Sequence, residues 1–310
     1  MLNNKRYKNL LWLCYFSVFY SLEERYSWSI SKHLFYKKDV FKTNIRTLQT
    51  MSSIILKTHE EIDKMRVACS VLSQMLGYVG SRITPGVSLR ELDNLAETFI
   101  LDHGCLPACK GYGGFPATLC LSVNDKVVHG IPNNYVLKEG DIISVDSCVQ
   151  YEGFIGDCTY TFGVGEISEQ DKRLINVTKQ SLYEGIKMFK SGNRLGDISS
   201  AIENYVNSNG FHIVKKFCGH GIGRGMHEAP RVLNYGSPQT GIALVNGLAL
   251  AIEPIVGATT GLSKTLNNGW DEVMVNGCNA AHFEHTVVLL DNKTEILTTY
   301  KYCEDNTHLQ

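Results

Sequence analysis

Apolar positions fall into two rhythms that alternate along the chain. After Thr58 they occur at Ile62, Met65, Cys69, Leu72, Leu76 and Val79, steps of three and four that share one face of a helix. Behind Pro85 and Gly86 the same spacing returns at Leu89, Leu92, Ala96 and Phe99. Thr58 with Glu61, and Ser88 with Glu91, are spaced as capping boxes, in which hydroxyl and carboxylate satisfy each other's orphan backbone donors. Beyond Gly104 the rhythm changes. Segments 117–123, 140–149 and 153–164 are rich in branched and aromatic residues and broken by Gly, Pro and Asn, which predicts strands.

The order then repeats. Ser168 and Asp171 open a predicted helix carrying Leu174, Thr178, Leu182 and Ile186; Asp197 opens another carrying Ile198, Ile202 and Tyr205, ended by Gly210. Strand-like runs follow at 247–255, 270–275 and 283–290. Two helices and then strands, twice over, predict one α+β domain of two similar halves across 51–298, with 299–310 as a C-terminal tail. One detail ties the halves together: Gly140 and Gly247 each stand six residues before a carboxylate, Asp146 and Glu253, that ends an apolar run.

A carboxylate inside an apolar strand is costly unless something positive meets it. Asp146 ends Ile-Ile-Ser-Val-Asp, Glu253 ends Leu-Ala-Leu-Ala-Ile-Glu, and Glu284 lies between Phe283 and His285; no Lys or Arg is near them in these strands. His220 adds an imidazole among Gly219, Gly221 and Gly223, small neighbours that leave room for a ligand. Singly, each has an ordinary structural explanation: Asp157 a turn residue, His220 a hydrogen-bonded core histidine, Glu253 a strand end reaching water. Gathered together, four carboxylates repel at ~4 kcal/mol per close pair at an effective dielectric of 20. Two divalent cations would balance them, and a bridging hydroxide would bring the cluster near neutrality.

Composition narrows the partners. Acidic and basic residues nearly cancel, but residues 1–50 hold nine Lys or Arg against three acids, leaving a mildly negative body with no broad basic surface for nucleic acid. A peptide or small molecule fits better. The ten cysteines are scattered without zinc-ribbon spacing, which fits a reduced, cytoplasmic setting. Residues 1–50 read as a basic leader whose apolar stretch, Leu10 to Leu22, is too short to span a bilayer and precedes no small-x-small cleavage site. It is either an organelle-targeting leader or a segment outside the working protein, with Met51 as functional start; sparse Arg and Ser favour the second.

Seven motifs together carry a specific likeness: Gly111-Tyr112 with Phe115-Pro116, Val128 to Pro132, Gly140 to Asp146, Gly153 to Asp157, Gly219 to Pro230, Ile252-Glu253-Pro254 and Phe283 to Thr286. Residues 52 to 298 resemble a type I methionine aminopeptidase of the short bacterial kind, with the pita-bread fold: two pseudo-symmetric halves, helices outside a curved antiparallel sheet. The 33 residues from His220 to Glu253 leave no space for the helical insert of type II enzymes.

The resemblance implies two divalent ions, drawn from Mn, Fe(II), Co or Zn, bridged by Asp157 and Glu284, with Asp146 on one and His220 and Glu253 on the other. A water shared between them would attack the first peptide carbonyl as hydroxide. Glu253 would also accept and shuttle its proton, His227 steady the oxyanion, and His129 contact the substrate amide. Cys109, Tyr112, Phe115, Cys120, Met226 and Trp270 would form the methionine pocket. The implied substrates are nascent polypeptides at the ribosome, and the family is usually monomeric. Four positions depart from the pattern: Met226 where an aromatic is usual, Cys148 for threonine, Ala280 for serine and His282 for glutamine. On a regular strand His282 shares a side with Glu284, where it could alter metal preference. Two other readings carry different expectations: a proline-specific peptidase of the same fold, and a binding module that lost catalysis.

Overall fold

The capping boxes become two helix starts. Thr58 caps α1 (His59–Gly80) and Ser88 caps α2 (Leu89–Asp102), each hydroxyl accepting from the backbone of the glutamate that returns the bond. Such caps are worth ~1 kcal/mol apiece. The computed structural model describes residues 54–305, all within a unit spanning Gln49–Gln310. The leader expected over 1–50 lies outside the described residues.

Ser168 caps α3 (Glu169–Met188) as expected. The next helix, α4 (Leu195–Ser208), opens two residues earlier than predicted. Asp197 is not its cap but its third residue, with its carboxylate turned back to the Arg194 N–H at 2.8 Å and also holding Gln239 N–H at 2.7 Å. The strands of the first half are β1 (Leu106–Pro107), β2 (Cys120–Val123), β3 (Lys126–Val128), β4 (Ile142–Tyr151) and β5 (Phe154–Gly163). Those of the second are β6 (His212–Ile213), β7 (Gly219–Gly221), β8 (Glu228–Val232), β9 (Ala249–Ile252), β10 (Ile255–Gly257), β11 (Ser263–Thr265), β12 (Glu272–Met274), β13 (Ala280–His282), β14 (Glu284–Leu290) and β15 (Lys293–Ile296). The run expected over 247–255 is two strands, broken at Glu253 and at Pro254, which has no N–H to give to a ladder.

Among the described residues, nine strands form one antiparallel sheet in the path β1-β4-β5-β14-β9-β7-β8, with β2 added on β4 and β15 on β14. This is the α+β, pita-bread arrangement that the motifs imply, and its halves meet where β5 pairs with β14. Equivalent turns build the two halves. Gly140 and Gly247 both adopt positive φ, 87° and 84°, a conformation that disfavours any side chain. Their N–H groups donate to Val164 and Leu289 at 2.9 and 2.8 Å, setting β4 against β5 and β9 against β14.

Leu72, Leu76 and Leu92 from the first helix pair and Leu174 and Ile202 from the second pack with Val145, Leu250 and Val287 of the sheet in one core. The segment expected to be a tail over 299–310 begins inside this core. Tyr300 and Cys303, at the start and within α5 (Lys301–Glu304), are buried in it.

Candidate metal centre

Five neighbouring strand positions deliver the five expected donors to one place. Asp146, Asp157, Glu284 and His220 lie within β4, β5, β14 and β7, and Glu253 directly follows β9. Register explains the convergence: Thr159 pairs with Asp146 on one side and with Glu284 on the other, and Asp157, two residues away, shares its face. Likewise His220 pairs with Ala251, two residues before Glu253. The His220 Nε2 lies 3.7 Å from Asp157 Oδ2 and 3.5 Å from Glu253 Oε1. One donor atom each from Asp157, His220 and Glu284 lie within 4.8 Å of one another.

The glycines beside His220 do a different job from the one expected. A Cβ on Gly219 would stand 2.2 Å from the Ala251 carbonyl oxygen, and one on Gly221 would stand 2.2 Å from that of Ala229. The space they leave is filled by neighbouring backbone, not by a ligand. They let β7 lie tightly between β9 and β8, which fixes the imidazole over the carboxylates. The ring's Nδ1 faces the Gly221 carbonyl at 3.0 Å, leaving Nε2 free to coordinate.

The electrostatics suit a cation. Burial, and after it the Asp157 charge, raise Asp146 and Glu284 well above the usual carboxylate range, and the same two causes raise Glu253. Asp157 itself is pushed up to about 7, chiefly by burial. Burial lowers His220 and His282 to about 3, so both rings are neutral and hold a free lone pair. Thr159 Oγ1 lies 3.0 Å from Asp146 Oδ1 and 2.9 Å from Glu284 Oε2, yet one hydroxyl has one proton to give. Asp157 Oδ1 and Glu284 Oε1 are buried with no hydrogen-bond partner. Among the described residues no Lys or Arg pairs with any of the four acids. Carboxylate oxygens plus neutral imidazole, orphaned and mutually repelling, fit a site for divalent metal.

Beside the donors lies an apolar cluster that includes Cys109, Phe115, Cys120 and Met226 together with Phe154 and Ile222. Trp270 packs against it, edge-on to Phe115 with ring centroids 5.1 Å apart. Cys148 joins the same cluster, its N–H donating to Cys109 Sγ at 3.2 Å. Tyr112 stands apart from the others: it is 45 % exposed and stands at the rim, with its hydroxyl 2.8 Å from His227 Nδ1. The His227 ring sits 4.4 Å from that of His220. His129 holds a left-handed backbone, φ 57°, and lies edge-on to Phe217 and Trp270 at 5.5 and 6.2 Å. Non-glycine residues keep such a conformation only where their surroundings enforce it.

The sequence profile of Metallopeptidase family M24 matches residues 63–291. A methionine aminopeptidase from Clostridium perfringens is 48% identical over 248 residues, which span 80% of this chain and all of that protein. The chain belongs to the methionine aminopeptidases of family M24. One from Clostridium acetobutylicum is 49% identical over 246 residues, 79% of this chain and 98% of that protein. Among solved structures, the methionine aminopeptidase of Thermotoga maritima superposes with a TM-score of 0.78 at 43% identity, covering 79% of this chain and 99% of that one.

Several contacts that build this methionine aminopeptidase site cannot be read from its motifs. Thr159 could have been found from its place two residues after Asp157 on the same strand face. Thr286 clamps the Asp157 backbone, accepting from its N–H at 2.9 Å and donating to its carbonyl at 2.8 Å. Lys57 forms a buried ion pair with Glu228, whose other oxygen accepts the Gly225 N–H at 2.9 Å and so ties down the turn holding Met226 and His227. Tyr300, remote in sequence, accepts the Glu284 N–H at 2.9 Å and places its hydroxyl 2.7 Å from the Glu284 carbonyl. Nothing local announces either Lys57 or Tyr300.

Proposed function

We propose that this chain removes the N-terminal methionine from polypeptides in a reaction that needs two divalent ions. One observation carries the reading: a buried set of acids and imidazole without a counter-cation lies beside a thiol- and aromatic-lined apolar cluster. The thioether of methionine is flexible and polarisable, which suits a pocket of sulfur, Phe115 and Trp270. Asp157 and Glu284 would be shared by both ions, Asp146 would hold one, and His220 and Glu253 the other. When bound, the ions supply Lewis acidity and lower the pKa of water from 15.7 to about 7.

The protein's own groups supply the rest. Glu253 takes the water's proton and passes it to the departing amine. Burial keeps His227 below its usual range, so the ring is neutral and carries one N–H. With the Tyr112 hydroxyl donating to Nδ1, that N–H sits on Nε2 and can donate to the developing oxyanion. His129, also kept neutral by burial, is held by Phe217 and Trp270 to meet the substrate amide. Nascent chains at the ribosome, met by a cytoplasmic monomer, are the substrates and setting this reading implies. Among the described residues no helix is long and apolar enough to cross a membrane.

Cleavage of a Met-Gly-Met peptide against an Xaa-Pro peptide, with and without chelator, tests the proposal. Chelator-sensitive release of methionine is expected. Activity on the Xaa-Pro peptide alone overturns it, as does silence on both.

A further inference from the structure

His282 is a buried histidine that the proposed reaction does not use. It ends β13, opposite Ile255, and Phe283, fully buried, carries the chain from there into the large sheet at Glu284. The side chain is 3 % exposed, yet its Nε2 has no hydrogen-bond partner. That nitrogen lies 3.7 Å from Glu253 Oε2, while His220 Nε2 lies 3.5 Å from Glu253 Oε1. Glu253 therefore has an imidazole nitrogen beyond each of its oxygens.

Neither gap is a hydrogen bond, which would bring N and O to about 2.7–3.2 Å. Both match donors that share a cation: with metal–nitrogen lengths of about 2.0–2.1 Å, two tetrahedral donors stand about 3.4 Å apart. We infer that His282 is a further metal ligand, a second imidazole joining His220 and Glu253 at one end of the centre. This rests on the dinuclear reading above and adds a donor to it. Glutamine, usual at this position in the resembled family, could offer only its amide oxygen, since the amide nitrogen has no lone pair to give, so a second nitrogen donor is specific to the histidine found here.

A second nitrogen changes which metal the site prefers. Imidazole favours Co(II) and Zn(II), whereas an all-oxygen environment favours Mn(II). His282→Gln is expected to weaken Zn(II) binding by about 10–100-fold, the scale on which loss of a supporting group acts, and to weaken Mn(II) binding less.

The decisive measurement uses the full chain, stripped of metal and reloaded with Co(II), in proton NMR. Each coordinated histidine that keeps a ring N–H gives one paramagnetically shifted, solvent-exchangeable resonance. Two are expected in the native protein and one in His282→Gln. A variant with an unchanged melting temperature and a Met-peptide cleavage rate still sensitive to chelator keeps the comparison free of misfolding. A single resonance in the native protein, unaltered in His282→Gln, overturns the ligand role while leaving the methionine peptidase reading intact. Zn(II) and Mn(II) affinities that fall equally, or not at all, overturn it as well. Failure of the native chain to take up Co(II) removes both readings together.

Discussion

The two halves of the large sheet are built alike and equipped differently. In the first, β4 and β5 bring only carboxylates, Asp146 and Asp157, backed by the sulfur atoms of Cys109, Cys120 and Cys148. In the second, β7, β9 and β14 bring two carboxylates together with His220, and His282 lies close by. Repeating one backbone plan suits the paired site proposed above; changing donors between copies would make its ends chemically unequal. The hard, oxygen-only end and the imidazole-bearing end are therefore expected to bind metals with different affinities.

Breaking the seam between the halves has the largest expected effect. Asp157→Asn should empty both ends at once, dropping kcat/KM on a Met-peptide by ~10^4-fold, the scale seen when a catalytic unit loses a member. Metal analysis showing one tightly held ion and near-native turnover would break the picture of a shared ligand. Next, His227→Ala acts on the second half without removing a donor. Loss of an oxyanion donor lowers kcat by about 10^2–10^3-fold, with metal content unchanged by elemental analysis. Equal loss of metal would reject the role given to this residue.

Thr159→Val removes the hydroxyl that faces a carboxylate from each half, and metal affinity is expected to fall by ~10–100-fold in titration calorimetry. The two halves should weaken together, since the one hydroxyl serves Asp146 and Glu284 alike. Acid gives the gentlest change. The metal-free Asp157 is raised from 3.8 to about 7, so at lower pH it holds a proton that an incoming cation must displace. Metal affinity therefore weakens as pH falls below about 7, by up to about tenfold per unit for this one proton. The same shift acts oppositely on the metal-free fold: its contribution to stability is present below 3.8 and lost as pH rises to about 7. Calorimetry in buffers of different ionisation enthalpy reads the released proton; pH-independent binding from 5 to 8 removes the linkage.

Much of this inequality was legible in the sequence because burying a charge leaves a local trace. Asp146 and Glu253 stand out as acids closing apolar runs after equivalent glycines. Thr58 and Ser88 were equally plain, since a capping box spans only four residues. What escaped depends on pairings between distant segments. The glycines around His220 looked like room for a ligand because their neighbours across the sheet, Ala229 and Ala251, are fixed only by the register of β7. Asp197, third in α4, also holds the Gln239 N–H, a bond across 42 residues that no local pattern announces. Tyr300 reads as part of a tail because its partners, Thr159 and Glu284, lie 141 and 16 positions earlier and share no periodicity with it.

The clamp made by Tyr300 places a late event in the birth of the molecule. A ribosome making this chain has finished both strands that Tyr300 grips, β5 and β14, before it adds the tyrosine. Until that residue emerges, the Glu284 backbone lacks its brace.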